Sequence, residues 1–260
     1  MRIALSIEYI GKKYYGWQQQ NTTSTKTVQY HIDKSLSKIA NHKIKTICSG
    51  RTDTGVNALN QIVHFDTTSI RSDTNWIDGA NSNLPDDIRV KNVYRVDDSF
   101  HARFLAKSRT YKYFINNNEK CSIFNNSYTW VVSEKLSLSH MKKSLKYLEG
   151  RHDFSSFRSS GCQANNPTRT ISNVSLEKNK NLITFSITAN AFLYHMVRNI
   201  VGSLVDIGLR KFNPRELKMI IDRRNRIYCS KMAPAHPLFL WSVSYPHKYK
   251  IKYNTDSILM

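Results

Sequence analysis

No apolar run in this 260-residue chain is long enough to cross a bilayer. The opening stretch, Met1 to Tyr9, alternates like a strand and carries Glu8 where an export signal would stay apolar. Neither membrane insertion nor secretion is indicated. Cysteine is scarce: Cys48, Cys121, Cys162 and Cys229 stand far apart, with no Cys-x-x-Cys pair. That spacing argues against a zinc site and against a disulfide framework, and it fits a reduced, cytoplasmic setting. There is no Gly-x-Gly-x-x-Gly, no phosphate-binding loop and no His-Glu-x-x-His, and the histidines do not cluster at ligand spacings. No cofactor and no metal are expected, so any chemistry falls to ordinary side chains. Acidic residues are also few, 19 Asp and Glu against 39 Lys and Arg.

The resulting net charge of +20 is uneven along the chain. Residues 1–105 hold 14 basic and 10 acidic groups, whereas residues 106–260 hold 25 and 9. A surplus of this size on one half points to a polyanionic partner, with nucleic acid the natural choice.

The hydrophobic pattern repeats one order of elements twice. In the first half a strand with Ile3, Leu5, Ile7 and Tyr9 on one face precedes a helix striped by Val28, Ile32, Leu36 and Ile39. Strands near 43–48 and 61–66 follow, then a helix near 74–84 with Asp73 as its predicted N-cap, and a strand near 88–97. In the second half a strand at 107–116 precedes a helix containing Leu138, Met141, Leu145 and Leu148, ended by Gly150. A hairpin through Asn179-Lys180-Asn181, a long helix at 191–209, a short helix opened by Asn213 and Pro214, and a strand near 238–245 complete it.

Each half is strand-helix-strand-strand-helix-strand, the split βαβ arrangement of a ferredoxin-like unit. The expected fold is α+β. Two such halves, 1–105 carrying the loop around Asp53 and 106–260 carrying the basic surface, are expected to join into one extended, mostly antiparallel curved sheet. Its helices are expected on one face, with a central cleft as the place for a substrate.

Residues 49–56, Ser-Gly-Arg-Thr-Asp-Thr-Gly-Val, sit between two strand-like runs. Gly50 and Gly55 flank Arg51 and Asp53 and permit backbone conformations that other residues resist. Taken alone, Asp53 fits a side-chain turn that caps backbone amides. Without cofactor or metal motifs, it is also the candidate nucleophile or general base. A carboxylate in a cleft keeps its charge only beside a cation or hydrogen-bond donors. Arg51 is adjacent, and Arg198 interrupts the otherwise apolar run from Ala191 to Gly202. Arg198 either reaches out to solvent or is held against a buried acid. Gly202 would let another backbone approach that helix closely.

Gly50-Arg51-Thr52-Asp53-x-Gly55-Val56, followed by Gln61-Ile62-Val63-His64-Phe65, resembles the signature of the tRNA pseudouridine synthase I (TruA) family. Further segments agree in order along the chain: Tyr14 to Gln18, Phe100 to Phe104, Arg109 to Tyr113, Asp153 to Phe157, and Asn190 to Gly202. The resemblance implies that Asp53 is the nucleophile, that Tyr111 stacks on the substrate base, and that Arg198 forms an ion pair with Asp53. It places RNA contacts on Phe100, His101, Ala102, Arg103 and Phe104 and on Gly161, Cys162, Gln163, Ala164 and Asn165, and it puts Leu238 in the substrate pocket. It also implies a homodimer acting on uridines 38, 39 and 40 in the anticodon stem-loop of tRNA.

Two departures stand out. Asn57 occupies a position where the family usually has His, and Pro237 precedes Leu238 where Gly is more usual.

The residue types suit that chemistry. Uridine becomes pseudouridine by breaking the N-glycosidic bond, turning the uracil and rejoining it through carbon five, with nothing added or removed. The base must leave its stack, and an aromatic platform offsets part of the loss. Arg51 would fill the vacated space or hold a neighbouring phosphate. Asp53 would attack either the ribose anomeric carbon or the uracil ring; the sequence does not choose.

Overall fold

Strand β1, Arg2–Tyr9, shows how the alternating pattern is used. It lies between β3, Asn57–Asp66, and β4, Ile88–Val96, pairing antiparallel with both so that Leu5 faces Val63 on one side and Val93 on the other. Residues 3–7 are all buried, where alternation predicted only one covered face. The small side chains of Ala4 and Ser6 expose little, and Ala4 is paired with the buried His64. The computed structural model describes residues 1–19, 24–118 and 126–252. Cys121 lies outside the described residues.

The chain divides into two compact units, 1–109 with 240–260, and 110–239. The closing strand β10, Leu238–Ser244, carries the chain into the first unit from residue 240 onward. Its place there comes from a pairing with β3, a partner far away in sequence that no local pattern announces.

In the first unit, helix α1, Val28–Ala40, starts where the Thr27 hydroxyl accepts from the Tyr30 amide at 3.4 Å, and ends at Asn41 with φ 57°. Strand β2, Ile47–Cys48, pairs with β3. Helix α2, Asp73–Asn81, is capped by Ser72, whose Oγ accepts from the Asn75 amide at 3.0 Å. Asp73, the predicted cap, lies in the first turn instead, where its charge suits the helix dipole. The order β4-β1-β3-β2, with antiparallel neighbours, is that of a split βαβ unit.

The second unit contains β5, Ser108–Asn116, from residue 110, then β6, Trp130–Val131, which runs parallel beside it. Helix α3, Leu138–Leu145, is followed by β7, Gly150–Asp153, and by the hairpin of β8, Thr168–Asn179, and β9, Leu182–Ala189. Neighbours run β5-β9-β8-β7. The hairpin closes with Asn179 opposite Leu182, and Lys180 takes φ 52° in the turn. Gly150, with φ 94°, opens β7 rather than closing the helix. Helix α4, Met196–Gly208, begins five residues later than its apolar run, because His195 adopts a left-handed φ of 63°. Helix α5 is Glu216–Arg223.

The fold is thus mixed α/β with mostly antiparallel strands. Among the described residues no helix is long and apolar enough to cross a membrane. Cys48, Cys162 and Cys229 are free thiols.

Candidate active site

The segment 49–56 links β2 to β3, and nearly every peptide around Asp53 is held. The Asp53 carbonyl accepts from the Val56 amide at 3.1 Å. The Thr52 carbonyl accepts from the Trp17 amide at 3.1 Å, and its buried hydroxyl meets the Tyr9 hydroxyl at 2.7 Å. The Gly55 amide donates to the Tyr14 carbonyl at 3.3 Å. At the entrance, the Ser49 hydroxyl donates to Gln61 Oε1 and Gln61 Nε2 donates to the Gly50 carbonyl, both at 2.6 Å. Asp53 is half-buried and Arg51 exposed. A rigid loop of this kind presents its side chain in one place, as a catalytic group requires.

The brace on the far side is the segment Gly11 to Trp17. A Cβ on Gly11 would fall 2.0 Å from the Val56 carbonyl oxygen, and one on Gly16, at φ 84°, would fall 2.7 Å from the Thr52 carbonyl oxygen. Only glycine lets these two backbones touch. Of the two glycines within the loop, Gly55 has φ 79° and needs its freedom, whereas Gly50 has no left-handed φ and nothing within 4 Å of a Cβ. Asn57, where the resemblance leads one to expect His, is 2% exposed and accepts the Gly11 amide at 2.8 Å. Its role here is to seat the brace.

Arg109 was not singled out as a site residue by sequence reasoning, yet its guanidinium gathers three carbonyls. It donates to Ser49 at 2.8 Å, Arg103 at 2.7 Å and Ala106 at 3.0 Å. It thereby ties the start of the Asp53 loop to the segment Phe100 to Phe104. An Arg at the start of a strand carries no local sign of this; only its place in the block Arg109 to Tyr113 marks the region.

That segment divides into two kinds of residue. Phe100 and Ala102 are fully buried, and the Ala102 carbonyl accepts from the Tyr245 hydroxyl. The Ala102 amide donates to His64 Nδ1 at 3.2 Å, so His64 must be neutral. Burial first, then the neighbouring His101 and Arg2, push its pKa down to about 4, which keeps it so at neutral pH. Arg103 is exposed, and Phe104 is 75% exposed with its ring stacked on His101 at 4.2 Å. Only His101, Arg103 and Phe104 therefore offer side chains to a ligand.

In the second unit Tyr111 lies on β5, 8% exposed, with its ring edge-to-face against Phe192 at 5.0 Å. Arg198 occupies the first turn of α4, half-buried, and does not simply reach out to solvent. Its Nε donates to the Ala233 carbonyl at 2.9 Å, and the Ala233 amide donates back to the Arg198 carbonyl at 3.2 Å. One turn on, a Cβ at Gly202 would sit 2.0 Å from the Lys231 carbonyl oxygen, which is the close backbone approach predicted for that glycine. The same strap continues to Leu238. The Tyr113 hydroxyl donates to the Pro234 carbonyl at 3.0 Å, and the Phe114 amide to the Pro237 carbonyl at 3.2 Å. Leu238 is 4% exposed. Pro237, which has no amide to donate, offers that carbonyl.

In the segment 161–165, where the resemblance leads one to expect RNA contacts, Gly161, Gln163 and Asn165 are exposed while Cys162 and Ala164 are half-buried. Arg158 Nη2 donates to the Cys162 carbonyl at 2.9 Å. Burial pushes the Cys162 thiol up, but the backbone amides of Tyr194 and Ala164 and the Arg158 charge outweigh it, leaving the thiol below its usual value. Among the described residues no three His, Cys, Asp or Glu side chains gather as a metal site would require.

The family model described as tRNA pseudouridine synthase matches residues 5–105 and 145–246, which takes in Asp53 and Arg198. A tRNA pseudouridine synthase A from Buchnera aphidicola subsp. Schizaphis graminum is 44% identical over 260 residues, covering 100% of this chain and 97% of its own length. One from Colwellia psychrerythraea is 44% identical over 258 residues, covering 96% of each chain. A third, from Vibrio cholerae, is 43% identical over 247 residues, covering 95% of this chain and 92% of its own. Matches along nearly the whole length of both partners leave one conclusion: this chain belongs to the tRNA pseudouridine synthase family.

Proposed function

We propose that this protein isomerises uridine to pseudouridine at positions 38, 39 and 40 of the tRNA anticodon stem-loop, as a cytoplasmic homodimer without cofactor. The observation that carries this reading is the half-buried Asp53 on a loop braced from both sides, in a chain that matches the synthase family along its length. Asp53 acts as nucleophile, on the ribose anomeric carbon or on the uracil ring. The N-glycosidic bond breaks, the uracil turns, carbon five bonds to the ribose, and the bond between Asp53 and the substrate breaks to return the free carboxylate. Carbon five then releases its proton, and the former glycosidic nitrogen takes one up, so atoms balance without a co-reactant.

The other side chains have supporting parts. Tyr111, steadied by Phe192, stacks on the flipped base. Arg198 holds Asp53 ionised as its counter-charge. Arg51, exposed beside Asp53, fills the vacated stack or holds a phosphate, and Leu238 walls the pocket. Residues 100–104 and 161–165 contact the RNA, through His101, Arg103, Phe104, Gln163 and Asn165 where side chains are involved.

Release of tritium from uracil carbon five tests the chemistry. Asp53→Asn abolishes it while tRNA affinity stays within a few-fold of the parent. Unchanged release would remove Asp53 from the mechanism. Abasic or cleaved RNA in place of an isomer of equal mass would make the protein a glycosylase or hydrolase instead. Affinity falls steeply with added salt, since Lys and Arg release counterions from phosphates.

A further inference from the structure

Residues 190–195 and 158–165 of the second unit are fastened together, and one large aromatic ring stands at their edge. Tyr194 is 43% exposed, yet its position is fixed. Its ring stacks on that of His195 with centroids 3.7 Å apart and planes 27° from parallel. Its carbonyl accepts from the Ser159 amide at 3.2 Å, and His195 Nδ1 bonds the Ser159 hydroxyl at 2.9 Å. His195 sits at φ 63°, a left-handed conformation that costs a non-glycine residue free energy and turns these two consecutive rings face to face.

The surroundings are cationic, and the imidazole beneath the ring does not add to the charge. Burial, then Arg198 and Arg226, depress His195 to about pKa 4, so it is neutral at physiological pH. Arg158 lies in the adjoining segment and Arg169 just beyond it, where its Nη1 donates to the Asn166 carbonyl at 2.8 Å and the Thr168 carbonyl at 2.7 Å. Residues 110–239 carry 20 basic and 8 acidic groups. Two positions before Tyr194, Phe192 packs on Tyr111.

We propose that Tyr194 is a stacking platform for an unpaired nucleobase of the RNA other than the target uracil, a subsite beside residues 161–165. The inference rests on the reading of 161–165 as an RNA contact and adds the aromatic part of that contact. A ring already held by its neighbours loses little freedom when a base covers it. Every base has a π-face, so the platform serves tRNAs of different loop sequence.

Tyr194→Ala, Tyr194→Leu and Tyr194→Phe are compared for tRNA affinity, for KM and kcat, and for quenching of 2-aminopurine placed at each unpaired position of an anticodon stem-loop. Tyr194→Ala and Tyr194→Leu weaken binding roughly tenfold. They raise KM with kcat at saturation unchanged, and they remove the quenching at one loop position. Tyr194→Phe behaves as the parent, and Tyr194→Leu, which keeps bulk against His195, melts close to the parent temperature. Parent-like affinity and quenching in Tyr194→Leu overturn the proposal. If Gln163→Ala and Asn165→Ala weaken binding while Tyr194→Leu does not, the platform fails and the 161–165 contact stands. If none of them does, that contact fails as well.

Discussion

Replacing Gly16 with alanine tests whether the brace behind Asp53 sets the catalytic geometry. Gly16 stands at φ 84°, and an added Cβ would lie 2.7 Å from the Thr52 carbonyl oxygen and 3.1 Å from the Asp53 carbonyl carbon. The left-handed conformation alone costs an L-residue about 1–2 kcal/mol. Overpacking against a fixed backbone adds about 1–3 kcal/mol. Together these give a loss of about 2–5 kcal/mol, or a fall in Tm of roughly 5–15 °C for a chain of this size. Relief of the contact requires the 11–17 segment or the 52–54 peptides to move, and the loop carries Asp53 with it. If Asp53 is the proposed nucleophile, its misplacement on the scale of 1 Å costs on the order of 100-fold in rate. Gly16→Ala therefore lowers kcat for tritium release about 100-fold while tRNA binding changes little. Gly50→Ala is the control, because nothing lies within 4 Å of its Cβ and its backbone needs no glycine; its melting temperature matches the parent. Parent-like melting and turnover in Gly16→Ala would refute the reasoning, as would an equal loss of stability in Gly50→Ala.

Arg109→Met leaves the Ser49, Arg103 and Ala106 carbonyls without their charged donor. A loss of about 3 kcal/mol or more in thermal unfolding is expected, with turnover falling in parallel; a parent-like melt would show that the three bonds are dispensable. Arg198→Met should stay folded, losing about 1 kcal/mol with its bond to the Ala233 carbonyl. Its turnover at saturating tRNA drops on the order of 100-fold if it supplies the counter-charge to Asp53, and full activity would sink that pairing. For Cys162, a pKa below the usual thiol value means more thiolate at a given pH than an ordinary cysteine holds, so alkylation rises with pH from a lower midpoint. Cys48 and Cys229 are buried with raised pKa values and react only on unfolding. Peptide mass spectrometry after brief iodoacetamide treatment reads the order among these three, and labelling of Cys48 or Cys229 ahead of Cys162 would contradict it.

Elements with strong local periodicity were legible in advance, and those made by packing were not. The α1 stripe and the β8–β9 hairpin lie where the pattern put them, since amphipathic spacing and a polar turn act over a few residues. The apolar run from Ala191 suggested a helix from its first residue, but α4 waits for Met196 because the 158–165 segment holds Tyr194 and His195 in a turn. Strands β6 and β7 are too short to carry any period and exist only as partners of β5 and β8. Ser72 outranks Asp73 as a cap by one residue, a margin that composition does not resolve.

The sequence by itself determined the Gly-Arg-Thr-Asp loop around Asp53, the likeness of the chain to one family, and the basic character of its second half. These depend on residue identity and order alone. Tertiary structure decided that Gly11 and Gly16, not Gly50, admit the brace behind Asp53. It decided that Arg109 gathers three carbonyls, and that within Phe100 to Phe104 only some side chains face outward. It also set Tyr194 on His195 at an exposed edge. Each of these depends on backbones meeting across tens of residues or on a single left-handed φ, and close packing, not local propensity, selects them.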